Sequence, residues 1–212
     1  MTFLGNLNGS TPQMNRYPEG PGIPRLFHSE RSIALIIDKT ARAGFGNLRA
    51  GTVMAKDDDG FCIPYVPATI VSGELSGLGT VHILAVSGNQ GRIPAGEAGK
   101  FAEDDVVRKH GDEYETDITI SSIEYGVNYD TLVVDEYSDL SAGDELYLKG
   151  GDTAVYIMDG DQDTGYGKDA KGANISVVLS NATLYKNSIV NLDAGAITDL
   201  GGIVDGQFYI LK

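Results

Sequence analysis

Tryptophan is absent from this 212-residue chain and cysteine occurs once. A lone Cys62 excludes an internal disulfide framework and any metal site built from several cysteines. Its place in an apolar strand reads as a buried structural thiol. Cations are scarce too: 16 Lys and Arg stand against 30 Asp and Glu, a formal net charge of -14. A field of that sign repels phosphate backbones and anionic head groups, so neither nucleic acid nor a membrane is an expected partner. No apolar run approaches the ~20 residues that span a bilayer. The opening residues M-T-F-L-G-N-L-N-G-S lack a basic n-region and a continuous apolar h-region. No signal peptide is expected, and the chain reads as soluble and made in the cytoplasm.

Local catalytic signatures are missing as well. No H-E-x-x-H, G-x-S-x-G or Walker G-K-[ST] occurs, so neither an enzyme nor a cofactor is expected, although a triad assembled by tertiary contact stays open. The run D-G-D-Q-D-T-G from Asp159 to Gly165 places Asp159, Asp161 and Asp163 in the alternation of a calcium loop. It departs from that loop at Thr164, where glycine is required, and at Ala170, where a bidentate glutamate is required. The better reading is an exposed acidic hairpin tip. Carboxylates at Glu103 to Asp105 and Asp112 to Asp117 offer a glycosidase pair or a solvated face, and charge runs usually form the latter. His28, His82 and His110 lie far apart, His82 in a strand and His110 in a charged loop.

What is present is β-pattern. Hydrophobic residues make up 42% of the chain, enough for a core, and the length suits one large all-β domain or two small ones. Short β-branched or aromatic runs span Ser32 to Ile37, Thr52 to Lys56, Phe61 to Val66, Val81 to Val86, Asp117 to Tyr125, Thr131 to Val134, Glu145 to Leu148, Thr153 to Met158, Asn174 to Leu179 and Gln207 to Leu211. Gly, Asp, Asn or Ser separate most of them, as in sandwiches and small barrels. Asp57-Asp58-Asp59-Gly60 reads as a hairpin turn whose aspartates sit in water. A bulge at Ser121-Ser122 is expected where Ile118 and Ile120 give way to Ile123 and Tyr125 as the apolar phase. Ala-Gly recurs after Arg49, Pro94 and Ser141 and reads as a repeated turn device. Helical turns are expected only near Ala102 to Lys109 and Asp193 to Leu200.

Four of the seven prolines (Pro12, Pro18, Pro21, Pro24) fall in the first 24 residues beside four glycines, which favours extended, unpaired backbone. Phe3, Leu4, Leu7, Met14, Tyr17, Ile23, Leu26 and Phe27 punctuate this arm. Such residues fit a segment that orders on a partner, the alternative being a frayed terminus. Of the 11 tyrosines, Tyr114, Tyr125, Tyr129, Tyr137, Tyr147, Tyr156 and Tyr166 crowd the middle of the chain. They suit a protein interface, a sugar platform or half-buried sheet positions.

The segment L-R-A-G-T-V-M-A-K-D-D-D-G-F-C-I-P-Y-V-P from Leu48, then G-T-V-H-I-L-A-V from Gly79, resembles the front half of the head decoration, or cement, proteins of tailed bacteriophages. I-S-V-V-L-S-N-A-T-L-Y-K-N-S-I-V from Ile175 is similar to that family's closing strands. The resemblance covers about half the chain and implies an all-β protein with a β-tulip, barrel-like domain at 31–86 plus 173–212. An extended arm at 1–30 and an inserted β-rich subdomain at 87–172, absent from compact members, complete the expected organisation. It also implies a virion protein on the outer capsid surface that bridges and stabilises major capsid subunits. Self-association is expected, as a trimer by preference or a dimer. Phe3, Leu4, Tyr17, Pro18, Ile23, Pro24 and Phe27 would be the capsid anchors, with no catalytic or metal set. The rival readings are a phage adhesin or head-fibre module that binds host carbohydrate through the inserted subdomain, and a glycosidase.

Overall fold

The structure, a computed structural model, describes residues 26–28, 34–67, 78–113, 115–135 and 139–212. The first four strands are β1 (Leu35–Ala41), β2 (Asn47–Leu48), β3 (Val53–Lys56) and β4 (Cys62–Pro64). Next come β5 (Thr80–His82), β6 (Ala85–Ser87), β7 (Gln90–Pro94), β8 (Val106–Lys109), β9 (Asp117–Glu124), β10 (Tyr129–Val134) and β11 (Glu145–Leu148). The chain closes with β12 (Tyr156–Met158), β13 (Gln162–Asp163), β14 (Ala173–Ser180), β15 (Ala182–Tyr185), β16 (Ile203–Asp205) and β17 (Phe208–Leu211). Helix α1 (Ala194–Leu200) sits between β15 and β16. The fold is all-β, as expected.

Strands β1, β14, β12, β3 and β4 form a closed barrel. Four of its pairings are antiparallel ladders, and closure is made by a parallel contact of Ala41 with Cys62. Val53, Met54, Ala55, Cys62, Ile157, Val177 and Val178 are fully buried, the expected result for apolar strands wrapped around one interior and packed on from outside. A seven-stranded sheet follows in the order β5-β11-β8-β9-β10-β7-β6. Its two ends belong to one stretch of chain: Ile83 N–H donates to Asp144 O and Leu84 N–H to Arg92 O. The sheet therefore comes round on itself, which removes most of the exposed edge that an open sheet presents. Ile93, Ile118, Ile120, Leu132 and Leu146 fill its interior, and one continuous core joins it to the barrel.

The local expectations fare unevenly. In the β9–β10 ladder Val133 faces Ser122 and Val134 faces Ile120, so Ser121 is the extra residue of the expected bulge. The three Ala-Gly turns share one backbone device, since Gly51, Gly96 and Gly143 have φ of 87°, 90° and 101°, a region open to glycine at little cost. Helix α1 is capped by Asp193, which accepts from Ala196 N–H at 2.7 Å, and ends at Gly201 in the left-handed region. The helical turn expected at Ala102 to Lys109 is instead a loop followed by β8. Asp105 turns back to accept from Ala102 N–H, and Asp104 has φ 69°, which no helix tolerates. Sheet pairing exchanges barrel for sheet at Thr80, before the sequence-based limit of 87, and sheet for barrel at Tyr156, before that of 172.

Beside that shared core, close backbone approaches and polar contacts also join barrel and sheet. Gly44 abuts Gly99, and Gly99 abuts Gly167, so closely that a methyl group on either would overlap backbone atoms at 2.2–2.3 Å. Beside this contact Arg42 donates through Nη1 to Asp57 at 2.8 Å, through Nη2 to Asp105 and through Nε to Lys100 O at 3.0 Å. The side chains of Arg42, Asp57 and Asp105 are 12%, 4% and 8% exposed. Asp57 is thus not a solvated turn residue as its neighbours Asp58 and Asp59 are; it also accepts from Phe61 N–H at 2.8 Å. Arg42→Ala, which strands two buried carboxylates, is expected to destabilise the protein by about 3–5 kcal/mol in urea unfolding. Arg42→Lys should recover little, because an ammonium lacks the fork that reaches both partners. Near-wild-type stability of Arg42→Ala would show that the clamp is dispensable.

Candidate interaction site

The described chain begins inside the fold. Leu26 and Phe27 are 2% and 3% exposed, and Phe27 pairs antiparallel with Leu184. His28 N–H donates to Thr183 O and Tyr185 N–H to Leu26 O, both at 2.8 Å. Residues 26–28 thereby add to the free side of β15 in the three-stranded sheet β15-β17-β16. The His28 ring lies against Phe208 at 4.3 Å and Tyr185 at 5.5 Å. Phe3, Leu4, Tyr17, Pro18, Ile23 and Pro24 lie outside the described residues. Phe27 does not share the outward role expected of it: its ring belongs to the core of this chain, where it fixes the base from which residues 1–25 depart. Short alternation in F-H-S was too brief to mark it as a strand addition; the adjacent Leu-Phe pair was the available signal.

Candidate chemistry is dispersed rather than gathered. The acidic run at Asp159 to Gly165 is docked, not an exposed tip. Gln162 and Asp163 pair with Leu48 and Asn47, and Thr164 is fully buried, accepting from Phe45 N–H and donating to Gly46 O. Asp161 accepts from Ala50 N–H at 2.7 Å and Asp163 from Gly165 N–H at 2.9 Å, so each carboxylate serves its own backbone amide. Among the described residues no three His, Cys, Asp or Glu side chains converge to hold a metal ion. Asp117 pairs with Arg108 and Lys149, and Glu115 with Arg108, while Asp105 belongs to the Arg42 clamp. Cys62 is fully buried, and burial pushes its thiol up to about 11.

Comparison with protein-family models, with curated proteins and with solved structures finds no match. The site must therefore be read from its own geometry.

The histidines have an unexpected relation. Cross-strand register puts His82 opposite Glu145, and His110 N–H donates to Glu145 O, so the two histidines flank one glutamate. His82 is exposed, whereas His110 is buried edge-on against Tyr147 with Nε2 unpaired. His110 lines a recess of ≈ 110 Å³ with Lys109, Asp112, Glu115, Tyr147 and Asp152. Burial pulls its imidazole below the ordinary value, and the Glu145 carboxylate only partly opposes this. The unfolded chain then takes up the proton first as pH falls, so the stability tied to neutral His110 is present above ~6.5 and is lost below it. Wild-type protein should lose more stability than His110→Gln between pH 7.5 and 5 in urea titrations; equal losses would remove His110 from the account. Phe27→Ala should lower the unfolding free energy of the isolated protein by about 3–5 kcal/mol, readable in the same titration, whereas an outward anchor would leave it unchanged.

Proposed function

We propose that this chain is a structural virion protein that binds the outer surface of a phage capsid, bridges neighbouring major capsid subunits and stabilises the expanded shell. The observation that carries the reading is the strand addition of Leu26–His28, which ties the departure point of residues 1–25 into the same core as the barrel. A contact made by the Pro/Gly-rich segment is then transmitted to a rigid body through buried side chains and ladder hydrogen bonds. Binding that favours the assembled shell over its parts stabilises it by mass action. Self-association, with a trimer favoured over a dimer, adds avidity by presenting several arms at once. The all-β body with a closed barrel suits a load-bearing role, and the acidic surface suits a partner of opposite sign.

The test is co-sedimentation of the full-length chain, and of a form lacking residues 1–22, with expanded capsids from which this protein is absent. Saturable binding that raises the shell's melting temperature and weakens at least tenfold without the arm is expected. Failure of the full-length chain to bind would overturn the reading.

A further inference from the structure

The β9–β10 connection is the most exposed apolar feature among the described residues. Val127 at its apex is 95% exposed, flanked by Tyr125 at 45% and Tyr129 at 36%, and Tyr166 stands at 55% on a neighbouring loop. A lone exposed apolar residue needs no explanation. Here, however, the fold commits a buried carboxylate to holding the group in place. Asp130, 1% exposed, accepts from Gly126 N–H at 3.1 Å through Oδ1, and from Gly96 N–H at 2.7 Å and Ala98 N–H at 3.3 Å through Oδ2. One side chain therefore pins the root of the connection and the Gly96 turn together.

The surroundings are equally ordered. The Tyr166 ring packs on Gly96, where a methyl group would lie 2.4 Å from it, and its hydroxyl donates to Glu97. The Arg92 guanidinium lies 4.4 Å from the centre of the Tyr129 ring. Gly126 is held so close to Tyr129 that a Cβ would sit 2.1 Å from its carbonyl oxygen. Three tyrosines and a valine are thus presented in one arrangement before any partner arrives, which lowers the ordering cost of binding.

From this arrangement we infer that the Tyr125–Tyr129 connection, with Tyr166 beside it, is a second docking element that inserts Val127 into an apolar socket on the capsid surface. This rests on the capsid-binding reading above. The apex is convex and aliphatic, which gains from burial in a protein recess and little from the hydroxyls of a sugar; flanking tyrosines are typical of interface hot spots. A second copy of this chain is a poor host. Two recesses among its described residues are lined by charge, one by Arg42, Asp57, Asp58, Asp59, Asp104 and Asp105 and the other by the His110 group, and neither suits an aliphatic tip. A socket with a basic rim would complement both the exposed Glu124 next to the tip and the net charge of -14.

Full-length wild type, Val127→Asp and Val127→Leu are compared by co-sedimentation with decoration-free expanded capsids, after thermal unfolding has shown unchanged stability, as expected for so exposed a position. Val127→Asp should bind at least about tenfold more weakly and Val127→Leu like wild type. Wild-type binding that Val127→Asp retains overturns the tip but leaves the capsid reading standing. No binding by wild type overturns both. Glycan-array binding by wild type that Val127→Asp abolishes, with shell binding unaffected, overturns the protein socket in favour of a sugar.

Discussion

The arrangement of the two β-bodies depends on one buried guanidinium. Arg42 leaves the end of β1 and reaches Asp57 on the barrel hairpin and Asp105 on the approach to β8, while its Nε bonds Lys100 O. Burial alone works against its charge, and the two carboxylates more than offset that. Any sliding of sheet over barrel would separate a buried charge from its partner, an error costing several kcal/mol. The adjoining glycines make the converse point. Gly44, Gly99 and Gly167 let backbones touch without side chains between them, so this part of the seam has little apolar area with which to specify a docking geometry. Direction comes from the charge, and closeness from the absence of Cβ atoms.

Lys100 adds a second buried cation to the same seam. It is 2% exposed, pairs with Glu97, donates to Thr80 O at 3.2 Å and lies 5.6 Å from the centre of the Phe45 ring. Glu97 in turn accepts from Tyr166, and the turn that carries it is held at Gly96 by Asp130. The polar network therefore runs from the barrel hairpin, through the Ala-Gly turn after β7, to the tip between β9 and β10. Each member is satisfied by a neighbour, the condition under which a buried polar network rigidifies a fold instead of weakening it.

Much of the strand pattern was legible because its cause is local. Ile118, Ile120 and Ile123 announce both the face and the change of face, and Ser121 is the residue left over. The glycines after Ala50, Ala95 and Ala142 announce turns because only they adopt the required φ readily. What escaped detection has non-local causes. Strands β2 and β13 have two residues each and exist through their pairing with one another across more than a hundred positions. The acidic run at Asp159 resembles a solvated tip until Thr164 is seen buried beneath Phe45 and Gly46. Asp57 and Asp105 are unremarkable among many aspartates without Arg42 in view. Asp130 was missed as well, although its signal is local: it shares the core-facing phase of β10 with Leu132 and Val134, and an acid there must find donors.

The capsid reading turns on how force would pass through such a molecule. The Leu26–His28 addition and the Asp130-pinned tip belong to different sheets, yet Phe27, Leu184, Ile157, Ile120 and Leu132 are members of one continuous core. A protein that bridges shell subunits must resist being pulled apart between its contacts, and contacts mounted on loosely hinged domains would stretch before they bore load. Packed interiors are close to crystalline density and transmit strain. The Arg42 clamp and the glycine seam lie between the barrel and the sheet that carries the tip, and the three-stranded sheet that holds Leu26–His28 shares their core. A barrel and a sheet fused through a shared core and a charged clamp therefore fit a bridge better than a pair of independent binding modules, for which a polar linker would have sufficed.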